Sequence, residues 1–349
     1  MTWQKQHLPG DHPPATSGAI GILLVNLGTP DAPDPGSVRR YLAQFLSDRR
    51  VIEIPPIAWQ PILRGIILNT RPQKSAEAYG KIWTERGSPL ADITARQAEA
   101  MAGVLDCGEY DARLHIDYAM RYGSPSIEQR LGELTEKGCD RILIAPMYPQ
   151  YCAATTATVF DEVARVMAGL RWQPTLRFAP PYHDDPAYIE ALAQDLSRQV
   201  RALSFAPEVM LLSFHGMPQR TLERGDPYHC HCQKTARLLR ERLEPRPEFA
   251  GVRFETTFQS RFGPAQWLEP ATDATLVAEG EKGTRRLVVA APGFAADCVE
   301  TLEELALEGR DEFIEAGGEQ YAVLDCLNTS EAGLAMLETM IRRELAGWI

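Results

Sequence analysis

Val209-Met-Leu-Leu-Ser-Phe-His215-Gly-Met-Pro218 decides how the rest of the chain reads. Residues 209–214 form a short apolar run that stops at a histidine, a glycine and a proline. A run of this length closed by turn residues predicts a strand buried on both faces, as in a parallel sheet. His215 then falls at the strand's carboxyl end, where open α/β sheets bind their ligands. A core histidine bonded to a backbone carbonyl fits the same position, and this stretch alone leaves both readings open.

Working outward, the same pattern recurs. Residues 19–26 (A-I-G-I-L-L-V-N) are a second apolar run, closed by Gly28, Thr29 and Pro30. Residues 112–120, 141–145, 251–257, 286–291 and 320–324 read as further strands. Helical spacing falls at 37–45, 74–83, 91–105, 126–136, 155–170, 186–203, 230–243, 264–279, 299–316 and 329–346. Strand alternating with helix implies parallel sheets with right-handed crossovers. There is also an internal duplication. I-L-L-V-N-L-G at 22–28 matches M-L-L-S-F-H-G at 210–216, and E-K-G-C-D-R-I-L-I-A-P from Glu136 matches E-K-G-T-R-R-L-V-V-A-A-P from Glu281.

The expected architecture is therefore two similar Rossmann-like α/β domains, each a parallel sheet flanked by helices. A flexible arm is expected over 1–18, a first domain over 19–178, a second over 179–328, and a C-terminal helix over 329–349 packing back on the first domain. Between corresponding strand ends the first half is roughly 43 residues longer. The excess falls at about 45–86 and includes V-I-E-I-P-P-I-A-W-Q-P-I-L-R-G-I-I-L at 51–68. Its prolines and Gly65 are expected to break any long helix. It fits a buried connection, or an apolar lip presenting Ile57, Trp59 and Ile62 to a hydrophobic ligand or a membrane surface. An insertion of this size beside a strand end is usually functional.

The 349 residues suit two cores, and 44% hydrophobic with 24% charged residues is a soluble globular composition. A formal net charge of −11 argues against nucleic acid as a partner. Seven scattered cysteines and no secretory signal imply a reducing compartment, hence the cytoplasm. No apolar run is long enough to span a bilayer, so any membrane contact is expected to be peripheral.

Two further stretches carry chemistry. P-G-F-A-A-D-C-V-E-T-L-E-E-L-A-L-E runs from Pro292 to Glu308, at the carboxyl end of the 286–291 strand. Asp297-x-x-Glu300 fits a capping box. Glu300, Glu304 and Glu308 then share one face, at about 0.2–0.5 kcal/mol of repulsion per neighbouring pair. Capping needs only the first, so the ladder reads as a path for a cation or protons. T-F-Q-S-R-F-G-P-A-Q-W-L-E-P, from Thr257 to Pro270, again ends a strand in a loop. Its Trp267 suits either core or a flat wall for an aromatic ligand. His229-Cys230-His231-Cys232 has a metal-like composition, but C-x-C is not zinc-knuckle spacing, and a solvated helix start is the simpler reading. There is no G-x-S-x-G elbow, no P-loop and no G-x-G-x-x-G after the first strand.

Together, L-L-S-F-H-G-M-P, F-Q-S-R-F-G-P-x-x-W-L-x-P and P-x-F-x-x-D-x-x-E-T-L-x-E resemble the signatures of the ferrochelatases, and N-L-G-T-P and Y-P-Q-Y match as well. The resemblance runs from about Gly21 to the C-terminus. It implies a chelatase-like fold and insertion of Fe2+ into protoporphyrin IX, giving protohaem and two protons with no cofactor. His215 and Glu300 would be the catalytic and metal-binding pair, with Asp297, Glu304 and Glu308 as the proton or metal path. Leu27, Tyr79, Trp267 and Phe294 would bind the macrocycle, and Arg71, Lys74, Arg121 and Tyr122 would meet its propionates and shape the pocket. Cys298 departs from the family pattern, in which many members carry a second histidine there. The resemblance also speaks against a [2Fe–2S] cluster, since Cys326 is the last cysteine and Cys152 would lack C-terminal partners. Coproporphyrin III is the alternative substrate, and a tetrapyrrole- or metal-binding protein without turnover the alternative class.

These residue types suit the reaction. A planar tetrapyrrole needs an apolar slot and its propionates need cations. Losing two pyrrole protons near neutral pH asks for a base such as histidine.

Overall fold

Strands rich in Ile, Leu and Val that carry apolar residues toward both faces can only lie in the middle of a sandwich of helices. The computed structural model of the chain describes residues 18–105, 113–263 and 265–349. All but the last residue of the expected 1–18 arm, and Pro264, lie outside the described residues. One parallel sheet holds β1 (Ala19–Gly28), β2 (Arg113–Tyr122), β3 (Cys139–Pro146) and β4 (Thr175–Phe178) in the order β2-β1-β3-β4. A second holds β5 (Val209–His215), β6 (Arg253–Gln259), β7 (Arg286–Ala290) and β8 (Gln320–Val323) in the order β6-β5-β7-β8. The wiring is the same, so the duplicated motifs mark the central strands β1 and β5 and their neighbours β3 and β7.

The period of two is plain in the packing. Ile20, Ile22 and Leu24 enter one core and Leu23 and Val25 another on the opposite face of β1. In β5, Met210, Leu212 and Phe214 face one core, and Val209 and Leu211 the other. The helix Glu331–Leu345 joins the halves. Its Leu337, Ile341 and Leu345 pack with β1, while Met336 and Met340 pack into the core on β5.

Three expectations are corrected. The insertion is not broken by its prolines. Helix runs from Pro56 to Ile62, π-helix from Leu63 to Ile67, and helix again from Leu68 to Ile82. Side chains take up carbonyls around the widened turn: Asn69 Nδ2 donates to Arg64 and Gly65 O at 3.1 and 2.9 Å, and Thr70 Oγ1 to Ile66 O at 3.0 Å. The helix expected over 264–279 begins only at Thr272, because a residue before proline, here Glu269, avoids the helical region. The acidic segment is π-helical from Glu300 to Glu308, with α-helix only from Gly309 to Glu315.

Between β4 and the helix Pro186–Ala202, the chain crosses from one half to the other through His183. The His183 and His231 rings stack with centroids 3.5 Å apart and planes at 4°. His231 Nδ1 accepts from Tyr151 N at 3.2 Å, and His183 Nδ1 is buried without a partner among the described residues. His231 and the buried Cys232 thus turn inward, which corrects the solvated helix start. Burial, then the neighbouring ring, pushes His183 down to about 4, and burial lowers His231. A base held below its unfolded value of 6.5 leaves the unfolded chain binding the extra proton between the two values. Its contribution is therefore whole above about pH 6.5 and lost as the pH falls toward 4. His183→Phe keeps the stacking area but not the proton. The melting temperature should then fall less between pH 7 and 5 than in the parent protein; equal slopes would contradict this account.

Candidate active site

His215 is half-buried at the end of β5. Its Nδ1 lies 2.7 Å from the carbonyl of Gly216. A carbonyl only accepts, so Nδ1 carries a proton, and in the neutral ring the lone pair is on Nε2. Gly216 is required there, since a Cβ would come 2.6 Å from Gln259 O and 3.2 Å from the Trp267 ring.

Gln259 stands opposite His215 in the β5–β6 register and is 3% exposed. Its backbone carbonyl accepts from Gly216 N at 2.7 Å. Its side-chain Oε1 accepts from Ser213 Oγ at 2.8 Å, and Nε2 donates to the carbonyl of Glu300 at 3.1 Å. One side chain therefore ties the histidine strand to the first residue of the π-helix. Ser260, next in the chain, has φ of 65° and donates to Glu304 twice: N to Oε1 and Oγ to Oε2, both at 2.6 Å. Burial, opposed by these bonds and aided by Glu300 and Glu308, lifts Glu304 to about 7. Glu308 is exposed. Glu312 continues the spacing of four and is raised by burial, Asp273 and Glu308.

Asp297 does not cap the helix, whose N-cap Val299 makes no side-chain bond. Its Oδ1 accepts from Thr301 Oγ1 at 2.8 Å and its Oδ2 from Asn328 Nδ2 at 2.5 Å, so it braces the loop entering the π-helix. Cys298 is buried, and burial first and Glu300 next hold its thiol protonated.

The first half supplies the facing wall. Tyr79 is buried, its phenol pushed upward by burial and then by the nearby Glu300. Leu27 packs into the cluster that also takes Val299 and Tyr122. Arg121 and Tyr122 do not present free polar groups. Arg121 pairs with Asp48 at 2.5 Å over the Tyr122 ring, and Tyr122 donates to the same carboxylate at 2.9 Å. With Arg121 and Asp48 each 12% exposed, this is a pillar of the wall rather than a waiting cation. Arg71 and Lys74 are different: both are exposed, and neither has an ion-pair partner among the described residues.

Arg71 lies over the ring of Phe262, 5.2 Å from its centroid. Phe262 is 45% exposed and packs 4.8 Å from the Trp267 ring, which itself is buried and donates Nε1 to Phe262 O at 3.1 Å. Phe262 is thus the exposed aromatic and Trp267 its support. Phe294 is half-buried against Leu90, Ile93 and Ala296, where the halves meet.

Sequence reasoning passed over Gln259, Ser260, Phe262, Glu303 and Glu312. The first three lie inside the quoted 257–270 stretch, and Glu312 continues a spacing already noted. Glu303 was not legible: it is buried and pairs at 2.6 Å with Lys81, 222 residues earlier.

With this geometry in hand, comparison with known proteins is direct. The ferrochelatase family model matches residues 19–345. Proteins named ferrochelatase from Rhizobium etli and Agrobacterium fabrum are 52% and 50% identical, each over 100% of both chains, and one from Methylocella silvestris is 51% identical over 97% of both. Among solved structures, SirB from Bacillus subtilis with Fe3+ has a TM-score of 0.53 at 13% identity, covering 95% of this chain and 97% of its own. DR2241 from Deinococcus radiodurans, described as having structural similarity to chelatases, has a TM-score of 0.51 at 15% identity, covering 93% of this chain and 55% of its own. At these identities the structures speak for the two-domain chelatase-like fold alone. The family model and the full-length relatives go further: this chain belongs to the ferrochelatase family.

Proposed function

We propose that this chain is a protoporphyrin ferrochelatase, a lyase of the terminal step of haem biosynthesis. It inserts Fe2+ into protoporphyrin IX, giving protohaem and releasing two protons. The observation that carries the reading is the end of β6, where Gln259 and Ser260 hold the His215 strand end and the Glu300–Glu304 turn together. His215 Nε2 is the base, or the donor that receives the metal, with Glu300 as its partner. As the four pyrrole nitrogens take iron, two of them give up their protons. Glu304, at about 7, takes and passes a proton near neutral pH, and Glu308 hands it to solvent. Among the described residues no three His, Cys, Asp or Glu side chains could hold a metal ion together. His215 and Glu300 therefore leave the remaining positions on iron, here the substrate, to the macrocycle. Asp297, filled by Thr301 and Asn328, acts by holding the loop.

The test is anaerobic haem formation by the purified chain with Fe2+ and either protoporphyrin IX or coproporphyrin III. Faster turnover of protoporphyrin supports the proposal, faster turnover of coproporphyrin replaces the substrate, and porphyrin binding without turnover returns the chain to a binding protein.

Phe262, Phe294, Leu27 and Tyr79 form the slot, and Arg71 and Lys74 take the propionates. Arg71→Ala with Lys74→Ala should raise KM for porphyrin on the order of 10-fold with little change in melting temperature. Arg121→Ala should instead destabilise by about 3 kcal/mol, because it strands the Asp48 carboxylate. The reverse pattern in KM and thermal melts would contradict this division.

No helix among the described residues is long and apolar enough to cross a membrane. Ile57 is 89% exposed and Ile66 57%, with Ile54 and Ile62 beside them, on the helical insertion that carries Arg71. Trp59, expected outside, is half-buried and donates Nε1 to Leu46 O at 2.7 Å, so it anchors the lip. The exposed isoleucines suit peripheral contact with a bilayer surface, from which a hydrophobic porphyrin would enter. Replacing Ile57, Ile62 and Ile66 with serine should weaken liposome co-sedimentation and raise KM for membrane-presented porphyrin. Unchanged values for both would remove the membrane from the account.

A further inference from the structure

Ser260 is one of two non-glycine residues with positive φ among those described, and the only one that grips an acidic residue of the π-helix. Glycine would adopt φ of 65° at no steric cost, whereas serine is strained there. What serine adds is a hydroxyl. In this conformation its N–H and Oγ point the same way and take one oxygen each of the Glu304 carboxylate, at 2.6 Å. Glu304 needs holding. Glu300 and Glu308, four residues to either side, repel it. Its neighbour Glu303 has a cation, Lys81, to keep it in place. Glu304 has no cation within ion-pair distance among the described residues, only Ser260. Since Gln259 holds the carbonyl of Glu300 at the same time, the last residue of β6 and the one that follows it set the π-helix at two successive rungs of the ladder.

We propose that Ser260 is a positioning residue for metallation: its two-point clamp keeps the Glu304 carboxylate turned inward toward Glu300. The inference rests on the reading that Glu304 serves the reaction. It predicts a loss that belongs to turnover rather than to folding or porphyrin binding.

The test is a mutant cycle on the full-length chain, reading kcat, KM for protoporphyrin and melting temperature. Ser260→Gly removes the hydroxyl and relieves the backbone, so the fold is protected. It should lower kcat about 10-fold, because a loosely held group is misaligned. KM should stay within about twofold, and the melting temperature should hold or rise. Ser260→Ala should lose kcat similarly while keeping the strain. Glu304→Ala leaves Ser260 nothing to grip, so adding Ser260→Gly to it should cost nothing more. Wild-type kcat in Ser260→Gly overturns the clamp while leaving a slow Glu304→Ala, and with it the role of Glu304, intact. Losses that multiply in the double variant also overturn it, because Ser260 would then act elsewhere. Wild-type kcat in Glu304→Ala overturns both the inference and the reading beneath it.

Discussion

The side chain of Gln259 makes the bonds on which the site depends. Buried at the end of an edge strand, it receives the Ser213 hydroxyl from β5 and gives a hydrogen to the Glu300 carbonyl. An amide buried without partners would cost free energy, so the three groups are held in one arrangement. That arrangement places His215, directly across the ladder, beside the first acidic turn. It also begins the π-helix, whose widened turns leave backbone groups open to side-chain partners. The strained Ser260 and Glu304, whose carboxyl burial raises to about 7, follow in the next residue and the next turn.

Duplication explains why only one half carries the chemistry. Gly28 and Gly216 do the same work at the ends of β1 and β5, each lying against the carbonyl of a neighbouring strand, of Tyr122 and of Gln259. In the matched stretches Leu27 falls where His215 falls. The first half thus offers an apolar residue and a tyrosine, and the second a histidine and a glutamine. Two similar sheets thus present one apolar and one reactive strand end, which suits the proposed metallation of a flat apolar substrate from one side. The insertion bridges the two halves. It crosses to the second half through Lys81–Glu303, through Arg71 over Phe262, and through Glu53–Arg224 at 2.5 Å. Of these ties, Lys81 holds a buried carboxylate, while Arg224–Glu53 lies partly in water and is the weaker.

Strand identity, the parallel sheets and the duplication were legible because period-two burial on both faces leaves a continuous apolar run. The ladder was legible because a spacing of four keeps Glu300, Glu304 and Glu308 near one another in either helical form. The π-helix itself was not, since nothing in local spacing separates it from an α-helix; the side chain that donates to its first carbonyl comes from 41 residues away. The prolines of the insertion misled because two of them, Pro55 and Pro56, stand at the helix start, where a missing N–H costs nothing. Arg121 read as a free cation because its partner Asp48 lies 73 residues off and becomes a neighbour only in the folded wall. Residue type was readable from sequence, but the partner that decides its role was not.

The central claim is that His215, with its proton on Nδ1 and Nε2 free, is the group through which the macrocycle is metallated. It is tested most directly by His215→Ala, measuring anaerobic haem formation beside protoporphyrin binding by fluorescence and the thermal melt. The account predicts haem formation lowered on the order of 100-fold or more, with porphyrin affinity and melting temperature close to those of the parent protein. Haem made at the parental rate by a folded His215→Ala protein would contradict it.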